Sequence, residues 1–125
     1  MIAKPISPAA HCLIDYALVG GLFTLPAALE LPKKVRRLYA AEALTLLAYV
    51  AVTKHPAALK PLIPIKTHGR IDPINVAGFA VQTLLKSFRR SKKATLFNIA
   101  FTAVAGLTVL LTDWRSGDAT GDRRP

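Results

Sequence analysis

From Ala94 to Thr112 the chain runs for 19 residues without a single charge, ATLFNIAFTAVAGLTVLLT. Coiled as a helix at about 1.5 Å per residue, that run reaches about 28 Å. A bilayer's hydrocarbon core is about 30 Å thick, so the segment is long enough to cross it. Three other stretches are nearly as apolar. Cys12–Leu29 holds Asp15 as its one charge, Leu38–Thr53 holds Glu42, and Ile71–Leu85 holds Asp72. The last of these spans only if Lys86 snorkels and the helix continues to about Phe88.

The charges excluded from these runs are numerous elsewhere. Lys and Arg total 17 against 7 Asp and Glu, a formal net charge of +10, while 52% of residues are hydrophobic. So apolar a chain is not disordered. A lone cysteine, Cys12, excludes a disulfide-stapled domain, a zinc ribbon and a Cys-x-x-Cys redox site. Two classes remain: a soluble basic helical domain that binds nucleic acid, and a membrane protein with its charges at the surface. A soluble bundle needs a polar face on every helix. Ala94–Thr112 offers only scattered Thr95, Asn98, Thr102 and Thr108, and Leu38–Thr53 only Glu42 and Thr45. No face is left for water. No aromatic residues interleave with the basic runs to stack bases, so nucleic acid is not expected as a partner.

The expected fold is all-α, with four transmembrane helices as two tandem helix hairpins forming one domain over residues 1–114. The hairpins cover about 8–54 and 66–112, and residues 115–125 read as a disordered tail. Ser7 caps the first helix and Pro8 is its first residue. Pro26 kinks or ends that helix, and Pro32 closes it. The second helix runs from about Val35 to Thr53, and a long connection from Lys54 to Arg70 lies along the membrane surface. Asp72-Pro73 reads as the start of the third helix. The first apolar stretch is as long as a full span and has no clear cleavage pattern after it, so it is expected to remain in the mature chain.

Two tight turns are basic, Lys33, Lys34, Arg36 and Arg37 in one, Lys86, Arg89, Arg90, Lys92 and Lys93 in the other. Their density places them in the cytoplasm, with both termini and the long connection on the other side of a bacterial inner membrane. Basic turns of this kind contact anionic lipids. Trp114 is expected at interface depth.

The chain repeats itself. His11-Cys-Leu-Ile-Asp15 recurs as His68-Gly-Arg-Ile-Asp72, an offset of 57. Val19 then falls on Val76 and Gly21 on Gly78; with one residue of slippage, Arg36-Arg37 falls on Lys92-Lys93 and Glu42 on Asn98. Two-helix units repeat in the same orientation, as in parallel transporter repeats, so the two His/Asp pairs lie at similar depth on one side.

In its His-x-x-x-Asp openings, in Pro64-Ile-Lys-Thr-His-Gly-Arg-Ile-Asp72 and in Thr112-Asp113-Trp114, the chain resembles the SPW-repeat family. Those are small bacterial integral membrane proteins built from two tandem units. The Ser-Pro-Trp tripeptide is absent here, with Pro26 alone at its place. The resemblance covers roughly residues 8–114 and implies the fold and the membrane; it implies no activity.

Four residues are the candidate polar or ion site: His11, Asp15, His68 and Asp72. At i, i+4 spacing each pair shares a helix face. One reading is structural, each His bonded to the Asp of its own pair, and that in-pair contact is expected ahead of any contact between pairs. The sharper reading is a shared site that holds a transition metal or relays protons. Glu42 and Asn98 are secondary polar positions, with Glu42 expected to reach the basic turn. Cys12 reads as packing, and Gly20, Gly21, Ala77, Gly78, Ala103 and Gly106 as small residues for close helix contact. No catalytic motif is present, so no catalytic or cofactor-binding residue is assigned. The leading function is therefore non-enzymatic association with membrane partners, further copies of the chain, or lipids. Metal or proton handling through the His/Asp pairs is the alternative, and nucleic-acid binding by a soluble domain is the second.

Overall fold

A computed structural model describes residues 4–115; the tail expected from 115 onward lies, beyond Arg115, outside them. The described chain is all-helical, with α1 over Pro8–Ala28, α2 over Lys33–Ala51, α3 over Ile65–Gln82, α4 over Lys86–Arg89 and α5 over Lys92–Leu111. Four helices are long and α4 is a single turn. α1 and α5 are each long and apolar enough to cross a membrane.

Local chemistry explains most of the boundaries. Ser7 Oγ accepts from Ala10 N–H at 3.1 Å and Pro8 needs no N–H partner, so α1 starts there. Ser91 Oγ does the same for Ala94 N–H at the start of α5. At the end of α1, Leu31 N–H returns to Pro26 C=O at 2.9 Å and Glu30 N–H to Ala27 C=O at 3.0 Å. That closure places Glu30 at φ 55°, the left-handed conformation that glycine usually supplies.

Three expected boundaries are corrected. α1 continues through Pro26 to Ala28, and Pro32 sits at the N-cap of α2 rather than ending α1. α3 begins at Ile65 after Pro64, so Asp72-Pro73 lies well inside the helix and not at its start. Local propensity makes Pro73 a helix start. The helix instead runs through Pro73, with His68 and Asp72 one turn apart on its N-terminal side, each bonded to a side chain of α1. α3 ends at Gln82, and Phe88 belongs to α4.

α1 packs chiefly on α2 and α3 on α5, while α2 and α3 barely touch along their length. The basic-turn half of the interior is mainly apolar: Leu22, Leu31, Val35, Tyr39, Phe79, Phe88 and Phe101 form one cluster. Tyr39 stands edge-on to Phe88 and Phe97, with centroids 5.7 and 5.3 Å away. At the other end Cys12, Val50 and Ile65 form a smaller cluster, and Cys12 is a buried packing residue as expected. The Ile6–Thr112 and Thr53–Ile63 bridges tie the segments at that end.

Several polar side chains are buried beside the apolar core, while large apolar side chains of α5 face outward. His11, Asp15, His68, Asp72, Gln82, Asn98 and Thr108 are buried. Leu96, Ile99, Val104, Leu107 and Leu110 of α5 are exposed, and only five of its 20 residues are buried. The small residues are not uniformly at helix contacts. A Cβ on Gly20 or Gly78 would meet open space, whereas one on Gly106 would touch Val76 of α3 at 3.6 Å.

Candidate polar centre

α1 and α3 bring His11, Asp15, His68 and Asp72 to one buried point. One ligand atom from each of the four lies within 4.8 Å of the others. The bonding runs between helices. His11 Nε2 meets Asp72 Oδ2 at 2.6 Å, and His68 Nε2 meets Asp15 Oδ2 at 2.8 Å. The distances within each i, i+4 pair are 3.3 Å. The expected in-pair contact is thus the longer one. Two side chains on one helix face project side by side, while a facing helix presents its groups end-on.

The other ring nitrogen of each histidine is fixed by a threonine. Thr53 Oγ1 lies 2.9 Å from His68 Nδ1, and Thr112 Oγ1 lies 2.8 Å from His11 Nδ1. Each hydroxyl donates its only hydrogen to the carbonyl four residues back, Tyr49 and Thr108 respectively. The hydroxyls must therefore accept from the rings, and both histidines carry a proton on Nδ1. Both Nε2 atoms consequently face the carboxylates, and each cross pair holds one further proton between Nε2 and Oδ2. Two imidazoliums and two carboxylates sum to zero charge, which makes so deep a cluster tolerable.

A second layer surrounds this centre. Tyr49 O–H donates to Asp72 Oδ1 and accepts from Asn75 Nδ2 at 2.7 Å. Trp114 covers the terminal side, its ring centroid 4.6 Å from that of His11. Gly69 makes room for it, because a Cβ there would lie 2.8 Å from the indole. Trp114 therefore seals the cluster as well as ending the helical region.

The secondary positions are not brought to the centre. Asn98 is consumed in a satisfied network: its Oδ1 accepts from Tyr39 O–H and Gln82 Nε2, and its Nδ2 donates to Phe79 C=O and Thr83 Oγ1. That role is architectural. Glu42 makes no ion pair with the basic turn among the described residues, and its Oε1 is buried without a hydrogen-bond partner. It lines a cavity of about 270 Å³ between α2 and α3 that extends to His11, Asp15 and Asp72. The remaining histidine, His55, follows α2 and donates to Val50 C=O near the end of that helix at 2.8 Å.

Sequence reasoning missed Thr53, Thr112, Tyr49 and Asn75. A signal for the threonines exists: Thr53-Lys54-His55 and Thr112-Asp113-Trp114 are 59 apart, and so are the starts of α2 and α5, Lys33 and Lys92. The α1-to-α3 offset is 57, from Pro8 to Ile65, so the α4 region adds two residues. By position in the helix, Asn98 corresponds to Tyr39, and the match of Asn98 to Glu42 is withdrawn.

Two long helices able to span a membrane and a buried His/Asp group able to bind a metal define the class: an all-helical protein with a polar centre between its helices. Compared with known protein families, curated proteins and solved structures, the chain matches none.

Proposed function

We propose that this is a small integral membrane protein whose four long helices cross the bilayer as two tandem hairpins and whose His11–Asp15–His68–Asp72 centre binds a divalent transition metal. The outward apolar face of α5, together with polar residues buried between the helices, supports the membrane reading. α5 turns leucine, isoleucine and valine outward and keeps asparagine and threonine inside. Exposed apolar surface on this scale needs a covering, and lipid is the one that also suits the uncharged run. The basic turns would then contact anionic headgroups, and the family resemblance implies the same fold and the membrane.

The observation that carries the metal reading is the outer layer. Metal-binding histidines present one nitrogen to the ion and donate the other N–H to an oriented acceptor. Thr53 and Thr112 impose that state on both rings. Two imidazoles and two carboxylates form a donor set suited to zinc and its neighbours. Zinc would replace the two shared protons of the cross pairs, leaving the total charge of the centre unchanged.

A second reading is favoured by the short cross pairs themselves. At 2.6 and 2.8 Å they are closed hydrogen bonds that join one hairpin to the other, a structural clamp without metal. Metal analysis of protein purified in mild detergent, followed by a cobalt titration, separates the two. The metal reading expects one tightly bound ion and a tetrahedral cobalt spectrum, both lost in His11→Gln. A clamp expects no metal in the wild type and a His11→Gln that lowers thermal stability, because Asp72 then loses its charged partner.

A further inference from the structure

The centre is closed on one side and open on another. Trp114 packs over it from the terminal end, with its indole against Gly69. Between α2 and α3, which scarcely touch, the cavity of about 270 Å³ leads from the cluster toward the middle of α2. Its polar lining falls into two facing stripes. On α2 these are Glu42, Thr45 and Tyr49, at i, i+3 and i+7, one face of a helix. On α3 they are Asp72 and Asn75, followed by Gly78. Glu42 lies seven residues from Tyr49, about 10 Å along the axis.

We propose that this cavity is the path by which a divalent cation reaches the His/Asp centre, and that Glu42 is the carboxylate that first binds the ion on the way in. The inference rests on the metal reading above. A cation entering an apolar helix interior needs a compensating negative charge near its route. Outside the cluster, Glu42 is the only acidic residue in the cavity wall among the described residues. Its Oε1 is buried with no hydrogen-bond partner, so that a lone pair is free for an ion. Thr45 gives its hydroxyl hydrogen to Ala41 C=O, which leaves its oxygen free to accept or ligate at the next step. The path ends at Tyr49, which donates to Asp72 and accepts from Asn75 Nδ2.

The test separates rate from end point, using the full-length protein in detergent. Trp114 is the only tryptophan and sits against His11, so its emission reports filling of the centre alongside the cobalt absorption. Stopped-flow mixing with cobalt is expected to show loading about tenfold slower in Glu42→Gln, with Glu42→Asp restoring most of the rate. Gly78→Leu is the independent variant. Its Cβ meets nothing within 4 Å, so the side chain fills the cavity without displacing backbone. It too is expected to load slowly, and both variants should reach the wild-type cobalt spectrum. Loading at the wild-type rate in both Glu42→Gln and Gly78→Leu would overturn the path while leaving the metal centre standing. Wild-type protein that takes up neither cobalt nor zinc would overturn the metal centre itself, and the path with it.

Discussion

The hydroxyl hydrogens of Thr53 and Thr112 determine the state of the whole centre. Each is committed to a backbone carbonyl, so each oxygen can only accept from a histidine ring. Replacing either by valine keeps the shape and removes the acceptor, leaving a buried N–H unsatisfied at a cost of about 1–3 kcal/mol. Thr53→Val and Thr112→Val are each expected to lower thermal stability in detergent. Each should also weaken zinc about 10- to 100-fold, the usual effect of losing an orienting partner. Competition with a chromophoric chelator measures the second effect. The pairing between helices makes a separate claim. A double-mutant cycle on His11 and Asp72, 2.6 Å apart, should give a larger coupling energy than one on His11 and Asp15, 3.3 Å apart. Equal couplings would show that the four groups act as an undivided set.

Among the elements, the end of α1 carries a removable strain. Glu30 holds a left-handed conformation at φ 55°, which costs a side-chain-bearing residue about 1–2 kcal/mol. Glu30→Gly is therefore expected to raise the melting temperature with no change at the centre, which lies at the other end of the helices. For α5 the exposed face distinguishes the two environments the sequence allowed. Val104 is near the middle of the uncharged run and 49% exposed. In water, Val104→Lys would change stability by no more than about 0.5 kcal/mol. In a bilayer it costs about 2.5–3.5 kcal/mol. Reduced membrane insertion and lower yield of the lysine variant are expected, read by fractionation against wild type.

Over the whole molecule, the His/Asp centre is where the two hairpins are tied. α1 and α2 form one packed pair and α3 and α5 the other, with far less packing between pairs. A ligand that binds only the assembled centre should therefore stabilise the entire fold. Zinc at a hundred times its dissociation constant is expected to add about 2.7 kcal/mol. Thermal unfolding in detergent should shift upward with zinc and return on adding a chelator. The variant His11→Gln/His68→Gln should show neither change.

The sequence by itself determined what repeats at close range along a helix. The uncharged run over 94–112 and the neighbouring apolar stretches specified long helices. The i, i+4 spacing put His11 with Asp15, and His68 with Asp72, on shared faces, and the 57-residue offset put both pairs at one depth. The serine cap at Ser7 was equally legible, because caps act within a few residues, whereas Lys33, Lys34, Arg36 and Arg37, expected in a turn, lie in the first turns of α2. What a side chain meets across a gap depends on how each helix is rotated about its axis, which is a property of packing. That rotation turned each histidine toward the other helix's aspartate, brought Thr53 and Thr112 behind the rings from far along the chain, and carried α3 helical through Pro73. It also parted two residues that looked equivalent, leaving Asn98 saturated by Tyr39, Gln82 and Thr83 while one oxygen of Glu42 faces a cavity without a partner. Those outcomes follow from contacts between residues tens of positions apart, where the period of a single helix has no say.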